Sequence, residues 1–460
     1  MRIFYKKSLQ SMMDSAEKHA LKKTLGALDL TLLGIGCVIG TGIFVLTGMA
    51  AAKYAGPAIT ISYALAGFAC VFAALAYAEL ASMVPVAGSA YTYSYISMGE
   101  LVAWIVGWGL ILEYAVGAST VAAGWSGYVV GILKSVGLAI PDSLTKVPSQ
   151  GGIVNLPAVC IALFVGALLT RGIKESANLN RILVAVKLSA IFIFLFVAAP
   201  HIDTANWSNF MPFGFSGVAT GAGAIFFAYV GFDAVVCAAE ECRNPNRDLP
   251  IGLIASLFIC TVLYITVAAV LTGIVPYTTL NNPEPLASAL RANGSHIGSA
   301  LVATGAIAGL TTVILVLMYG QSRIFFVMSR DGLLPQFFSR LHPKFQTPHI
   351  STIIIAFAVA IISGFTPINT MGNLTSMGTL LAFIMVAIGV MVMRRTKPEV
   401  ERPFRCPAVY VVAPIAILSC GYLIFELIKQ TGLPFLIWGI IGLVVYFGYM
   451  SYRKRSLEVQ

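Results

Sequence analysis

Two apolar segments of this chain are interrupted by glycines and other small residues, and they lie at corresponding places in its two halves. The first covers residues 32–44 and carries four glycines around Thr41, and the second covers residues 221–233. An unbroken helix at membrane depth satisfies its own N–H and C=O groups, whereas an interrupted helix can unwind and offer them to a ligand. Such a pair, one in each half, indicates the central binding site of a transporter.

The first interruption has the chemistry to bind both charges of a zwitterion. Unwinding over residues 38–42 would direct the N–H groups of the following half-helix at a carboxylate, which the positive end of that half-helix would stabilise. The freed carbonyls of Val38 and Ile39 would accept hydrogen bonds from an ammonium group. Close helix packing through small residues stays open as an alternative. A dinucleotide-binding turn is disfavoured, because no strand precedes it.

The second interruption supplies the complementary groups. Carbonyls near Phe226, Phe227 and Ala228 would complete the ammonium site, and the Phe227 ring would close over the ligand as an apolar gate. For Phe226 alone, ordinary aromatic packing is the simpler interpretation. The two interruptions together favour an amino acid as the ligand.

Two ionisable residues lie deep within apolar runs, where a charge is costly and therefore indicates function. We expect the Lys187 ammonium to dock on carbonyls of the unwound first segment and to take part in proton coupling. The alternative is a side chain that extends to the lipid headgroups. Glu113 has three open roles: pairing with a cationic substrate, holding a proton, or bonding a neighbouring helix.

Four further acidic residues lie towards the expected cytoplasmic side. Glu79 is expected to make a structural bond to the connection that follows it. Asp233 follows the second interruption, and Glu240 and Glu241 are expected to make gate or loop contacts.

The composition is that of a polytopic helical membrane protein. Of the 460 residues, 58% are hydrophobic and only 10% are charged, whereas a soluble protein of this size needs a far more charged surface. The net charge of +10 does not indicate nucleic acid binding. Most Lys and Arg residues fall in the termini and the even-numbered connections, which the positive-inside rule assigns to the cytoplasm.

About twelve membrane spans are predicted from runs of roughly 20 apolar residues. They cover residues 29–52, 58–84, 101–134, 154–172, 180–200, 215–240, 250–275, 297–331, 351–366, 372–394, 409–428 and 433–452. The predicted organisation is a cytoplasmic tail (1–28), a first repeat of five spans (29–200), a second, inverted repeat (215–394), two further helices (409–452) and a cytoplasmic tail (453–460).

Cysteine and histidine spacing gives no sign of a metal centre or a disulfide framework. The 8 Cys and 5 His residues are dispersed, and no CxxC motif occurs. We therefore expect no metal, no cofactor and no catalytic residues, and a protein that is not an enzyme.

Five motifs in this order resemble the amino acid–polyamine–organocation (APC) superfamily, and within it the bacterial members similar to cationic amino acid transporters. They are residues 34–44, 85–93, 226–233, 241–250 and 329–335, and the resemblance covers essentially the whole chain. It implies an all-α fold of the LeuT type, a 5+5 inverted repeat with two extra helices. It also implies that Thr41 and Gly42 hold the substrate carboxylate and that the two breaks hold the amine.

The resemblance further implies that Glu113 and Met318 line the substrate's side-chain pocket, with Gly117 and Val230 nearby. A lysine at the position of Lys187 is typical of members that couple to protons instead of sodium.

One residue departs from the family pattern: relatives often carry Asp or Asn where this chain has Gly109. The substrate preference is therefore not carried over in detail.

The sequence thus predicts a secondary transporter for cationic and/or small neutral L-amino acids, with proton symport and alternating access. It would lie in a bacterial plasma membrane with both termini in the cytoplasm, and its expected partners are the amino acid, protons and the lipid bilayer, with no nucleic acid. An ion-independent exchanger is the main alternative, and a subunit that depends on a small membrane-protein partner also stays open. A channel is disfavoured, because two unlike breaks do not make the repeated loops of a pore.

Overall fold

The computed structural model describes residues 25–84, 89–172, 177–237, 242–345 and 347–458. In these ranges the chain is helical and forms no strand. Among the described residues, 7 helices are long and apolar enough to cross a membrane, and shorter apolar helices accompany them. The class of polytopic membrane protein is confirmed, while the count of about twelve spans and the inverted repeat stay predictions.

We number the helices in chain order. They are α1 (Ala27–Val38), α2 (residues 42–55), α3 (Ile59–Met83), α4 (Ser89–Ser97), α5 (Glu100–Ser135), α6 (Leu156–Thr170), α7 (Ala177–Ala198), α8 (Gly214–Ile225), α9 (Ala234–Cys237), α10 (Pro245–Ile274), α11 (Pro285–Ala292), α12 (His296–Arg330), α13 (His349–Phe365), α14 (Ile368–Thr396) and α15 (Val409–Glu458). Helix α15 is interrupted at Thr431, and we call residues 409–430 its first arm and residues 432–458 its second arm.

Helix bounds follow the apolar runs of the sequence closely, because each run ends where polar or glycine and proline residues begin. Helices α5 and α12 have 36 and 35 residues, and at 1.5 Å per residue each is about 50 Å long. They therefore exceed a hydrocarbon core of about 30 Å and must tilt or extend into water.

Both interruptions expected from the sequence are present as breaks in the helices. Helix α1 ends at Val38, Ile39 is extended (φ −72°, ψ 103°), and α2 begins with the π-helical turn Gly42–Leu46. Helix α8 ends at Ile225 and is followed by the 3₁₀ turn Phe226–Tyr229. Gly231 then has φ 107°, a conformation that glycine adopts at low cost.

The helices pack in two groups around these breaks. Helix α5 packs along α12 and α14, whereas α10 packs along α1 and α3. Helix α8 contacts α3, α14 and α15. The scaffold therefore holds the two breaks between α5 on one side and α10 on the other.

Glu79, near the end of α3, pairs with a connection far along the chain, whereas the connection that directly follows α3, residues 85–88, lies outside the described residues, so a bond to it stays a prediction. The buried carboxylate accepts hydrogen bonds from the Arg394 guanidinium at 2.7 Å and from the Cys406 N–H at 2.8 Å, and the Arg402 Nε lies 3.4 Å away. These partners belong to the connection between α14 and α15. The carboxylate is 1% exposed, and a buried charge needs a cation and hydrogen bonds, which this distant connection provides.

Some expectations concern residues outside the described ranges. These are the contacts of Glu240 and Glu241, the first part of the motif at residues 85–93, and most of the N-terminal tail.

Candidate functional site

The two breaks touch each other through glycine. A Cβ atom added to Gly42 would lie 2.3 Å from the Cα atom of Ala228, and one added to Gly231 would lie 3.1 Å from the carbonyl oxygen of Cys37. No larger residue fits at Gly42 without moving the backbone of the second break. The peptide groups of both breaks are therefore held at contact distance.

Thr41 stands at the start of α2 with its hydroxyl unused. The residue is fully buried, and its Oγ1 atom has no hydrogen-bond partner among the described residues. The side chain lies against Gly124 of α5, where an added Cβ would be 3.2 Å from Oγ1. Because the first N–H groups of a helix have no partner within it, a hydroxyl at the N-terminus of α2 is an arrangement whose chemistry suits an anion.

The carbonyls of the two breaks converge on one point. The Tyr264 hydroxyl, from α10, lies 2.8 Å from the carbonyl oxygen of Val38 and 2.8 Å from that of Ala228. A hydroxyl carries a single hydrogen, so it cannot make a full hydrogen bond to both oxygens at once. An ammonium group, with three donors, could satisfy such a cluster of carbonyls.

Tyr264 was not expected from the sequence. In the run Cys260 to Val267 it stands among apolar residues, as many core tyrosines do, and nothing in its spacing indicates the distant carbonyls that it contacts.

Other hydroxyls also bind carbonyls of the π-helical turn of α2. Thr47 Oγ1 lies 3.0 Å from the carbonyl oxygens of Gly42 and Ile43, and Tyr63 Oη is 2.6 Å from Thr47. The Tyr128 hydroxyl donates to the Phe44 carbonyl at 2.6 Å. These contacts help to satisfy the irregular backbone at membrane depth. Thr41, directly before the turn, differs from these residues in that its hydroxyl has no partner among the described residues.

The aromatic residues of the second break divide into two environments. An added Cβ at Gly117 of α5 would lie 3.9 Å from the Phe227 ring, so this ring faces α5. The Phe226 ring packs at 5.9 Å from that of Phe383 and 6.3 Å from that of Tyr229. Phe226 is thus surrounded by aromatic side chains.

A small cavity lies next to the breaks, and it has two carboxyl groups in its wall. Glu113 and Asp233 are each 2% exposed, and Glu113 Oε2 has no hydrogen-bond partner in the described parts of the chain. The remaining lining is mostly aliphatic, with Val230 from the second break and residues of α12. The full lining is Cys37, Glu113, Tyr114, Val230, Gly231, Asp233, Val313, Val316 and Leu317.

Met318 lies apart from this lining. Its methyl group is 3.5 Å from a Cβ built on Gly166 of α6, so the side chain points towards α6, and the neighbouring Leu317 lines the cavity instead. Gly109 leaves space on α5, because an added Cβ there would meet no described atom within 4 Å.

Lys187 of α7 reaches the end of α1. The residue is 2% exposed, and its Nζ atom donates to the carbonyl oxygen of Gly36 at 2.5 Å. Its methylene chain passes over Gly309 of α12, where an added Cβ would lie 2.8 Å from Cγ. Gly36 lies in the last turn of α1, whose carbonyls lack partners within the helix. The ammonium group thus joins α7 to the first break rather than extending to the lipid headgroups.

Two broken helices that face each other among helices able to span a membrane are typical of membrane transport proteins. The family model described as amino acid permease matches residues 25–451, and the chain belongs to that family. The resemblance to the APC superfamily is thereby confirmed.

Several characterised proteins are similar to this chain over its whole length. It is 47% identical over 457 residues to the methylthioribose transporter of Bacillus subtilis, covering 99% of both chains. It is 46% identical to the branched-chain amino acid permease BcaP of the same organism, covering 99% of this chain and 98% of that one.

A more distant relative is cationic amino acid transporter 9, chloroplastic, of Arabidopsis thaliana. It is 41% identical over 84% of this chain and 69% of its own. These relatives are transporters, and the expectation that the protein is not an enzyme is confirmed.

Proposed function

We propose that this protein carries L-amino acids into the cell by alternating access, together with a proton. The observation that supports this most directly is the buried hydroxyl of Thr41 at the N-terminus of α2, for which the described part of the chain offers no hydrogen-bond partner. Buried polar atoms without a partner are rare and call for an explanation. A bound carboxylate would supply the missing partner and would also meet the positive end of α2.

The ammonium group of the same ligand would donate hydrogen bonds to the carbonyl oxygens of the breaks. The oxygens of Val38 and Ala228 lie within 2.8 Å of one hydroxyl, so a small donor group could reach both. The backbone of Ile39 and Phe227 would add further acceptors, and the Phe227 ring would cover the ligand. Thr41 and Gly42 would then hold one end of the zwitterion, and the carbonyl cluster would hold the other.

The ligand's side chain would enter the cavity that contains Glu113. Its wall includes four aliphatic residues, Val230, Val313, Val316 and Leu317, which suits a neutral aliphatic amino acid. The two carboxyl groups would also suit a cationic one. Gly117 would border the entrance, whereas the position of Met318 favours an indirect effect through its packing against α6.

The coupling of amino acid transport to a proton would depend on Lys187. Its ammonium holds the last turn of α1 to α7, so loss of its proton would weaken this link and favour movement of α1. We also propose the expected topology, in which the termini face the cytoplasm and residues 29–200 and 215–394 form inverted repeats. The matching positions of the two breaks support this organisation.

A second candidate substrate is methylthioribose, because a relative with 47% identity is named as its transporter. This sugar has no carboxylate or ammonium, so it would not use the charge-binding groups of the breaks. Measuring which of the two substrate classes binds therefore tests whether the breaks bind the charged groups of an amino acid.

The decisive experiment is a thermal-shift screen of the purified protein against all common amino acids and methylthioribose, because a ligand that binds only the folded state raises the melting temperature. Stabilisation by at least one amino acid, and by neither its amide nor its N-acetyl derivative, is expected. Stabilisation by methylthioribose alone would overturn the proposal.

Uptake into liposomes then separates symport from exchange. A symporter accumulates the amino acid when a pH gradient is imposed, whereas an exchanger needs internal counter-substrate. Uptake that requires internal amino acid and ignores the gradient would favour the exchanger.

A further inference from the structure

The first arm of α15 contacts the part of the molecule where α2 ends. The Oε1 atom of Gln430 accepts a hydrogen bond from the Tyr54 hydroxyl at 2.8 Å and another from Asn373 Nδ2 at 3.1 Å. An amide oxygen has two acceptor positions, and both are used here. Because Tyr54 belongs to α2 and Asn373 to α14, one atom joins the half-helix after the first break to the scaffold.

The same face of this arm also contacts the half-helix before the second break. Glu426 accepts a hydrogen bond from the Thr220 hydroxyl of α8 at 3.3 Å and pairs with Lys429 at 3.0 Å. A Cβ added to Gly223 of α8 would lie 3.0 Å from the Leu427 side chain. One helical turn, residues 426–430, therefore contacts one half of each broken segment.

A narrow cavity lies between α2, α8 and α14, directly beside this turn. It is lined by Leu46, Ala50, Tyr54, Ala224, Asn369, Gly372 and Asn373. Two of its lining residues are close together, since an added Cβ at Gly372 would lie 3.2 Å from the Leu46 side chain. The turn thus borders this cavity, because Tyr54 and Asn373 in its wall both donate hydrogen bonds to Gln430.

The first arm of α15 ends at a kink. Thr431 has non-helical dihedrals (φ −134°, ψ 16°). Beyond it, the second arm is fixed to α5, because the indoles of Trp108 and Trp438 each donate to the other residue's carbonyl, at 2.9 and 3.0 Å. The kink therefore separates residues 426–430 from the part of the helix that is fixed to α5.

We propose that residues 426–430, which we call the outer latch, hold the outer halves of both broken segments closed and must release them before a substrate can pass on that side. This inference rests on the proposed transport function. It assigns a gating role to a helix outside the two expected repeats, with Gln430 as the central positioning residue.

The test measures how readily the cavity opens, and it needs no substrate. Ala50, 3% exposed, is replaced by Cys as a reporter, and its reaction with a water-soluble methanethiosulfonate is timed on the purified protein in detergent. A second reporter, Ala224→Cys, probes the cavity from α8. Unsubstituted protein gives the background, which is low because most native thiols are buried; burial also raises the pKa of Cys406 to about 11.

In the Ala50→Cys background, Gln430→Ala removes both hydrogen bonds and should speed labelling by roughly tenfold. Tyr54→Phe removes only the bond from α2 and should give a smaller increase. Gln430→Glu keeps two acceptor oxygens and is the matched control, with a rate near that of the parent.

Equal labelling rates in the parent, Gln430→Ala and Tyr54→Phe would overturn the latch. So would an increase that Gln430→Glu shows equally, because any change at this position would then loosen the helix. Tyr54→Phe keeps the test valid if Gln430→Ala does not fold. Failure of the transport proposal would be recognised separately, as absence of amino acid uptake by the parent protein in liposomes.

Discussion

Thr41→Val separates ligand binding from stability, because the two threonine hydroxyls of the first break differ in their partners. Valine has the shape of threonine without the hydroxyl, so the packing against Gly124 is kept. Thr41 Oγ1 is buried without a described partner, and its removal should leave the free energy of unfolding unchanged or raise it by up to about 1 kcal/mol.

Ligand binding should change in the opposite direction. A hydrogen bond to a charged group contributes about 1.5–3 kcal/mol, and each 1.4 kcal/mol corresponds to about a factor of ten in affinity. Thr41→Val should therefore raise the Kd of the best amino acid ligand by about 10- to 150-fold. Isothermal titration calorimetry in detergent measures this change, and the melting temperature without ligand measures stability.

Thr47→Val is the matched control in the same helix. The Thr47 hydroxyl lies 3.0 Å from two backbone carbonyls and 2.6 Å from Tyr63, so its loss should lower stability by about 1 kcal/mol or more. Its effect on affinity should be smaller than that of Thr41→Val. The reasoning is refuted if Thr41→Val binds as tightly as the parent, or if it loses as much stability as Thr47→Val.

Three further substitutions test the remaining parts of the site. Lys187→Ala removes the ammonium bound to Gly36 and should abolish accumulation driven by a pH gradient while leaving binding largely intact; equal accumulation in liposomes would contradict the coupling role. Glu113→Gln should weaken arginine more than alanine in a competition assay, and an unchanged preference would remove Glu113 from the pocket. Tyr264→Phe leaves the carbonyls of Val38 and Ala228 without a donor and should lower the melting temperature by an amount equivalent to about 1–3 kcal/mol; no change would show that the hydroxyl does not hold the breaks together.

The helices and the breaks could be predicted from the sequence because both depend on local properties. A run of apolar residues needs no knowledge of its neighbours to be assigned to the membrane, and the glycines of residues 32–44 weaken the helix wherever it packs. Lys187 could be singled out for the same reason, since a charge among apolar residues must have a partner. Its acceptor, the Gly36 carbonyl, follows from the unwinding of the same segment.

The partners that lie far apart in the chain could not be predicted. Glu79 pairs with Arg394, 315 positions away, and many basic residues in other connections would have served equally well by charge alone. Tyr264 contacts carbonyls of two other segments, and its neighbours in the chain are ordinary core residues. Gln430 stands near a helix end, where polar residues are common, so its type gives no indication of the two donors that it binds.

The reciprocal indole contacts of Trp108 and Trp438 fix the second arm of α15 to α5 and make it a suitable reference for measuring motion. Each ring covers the other in a stack with centroids 4.6 Å apart, and Trp104 and Tyr446 extend the same seam along α5. A spectroscopic probe attached to this arm would report the position of the scaffold throughout a transport cycle. Distances between this probe and a second probe on α1 would then measure the motion of the broken helix relative to the scaffold.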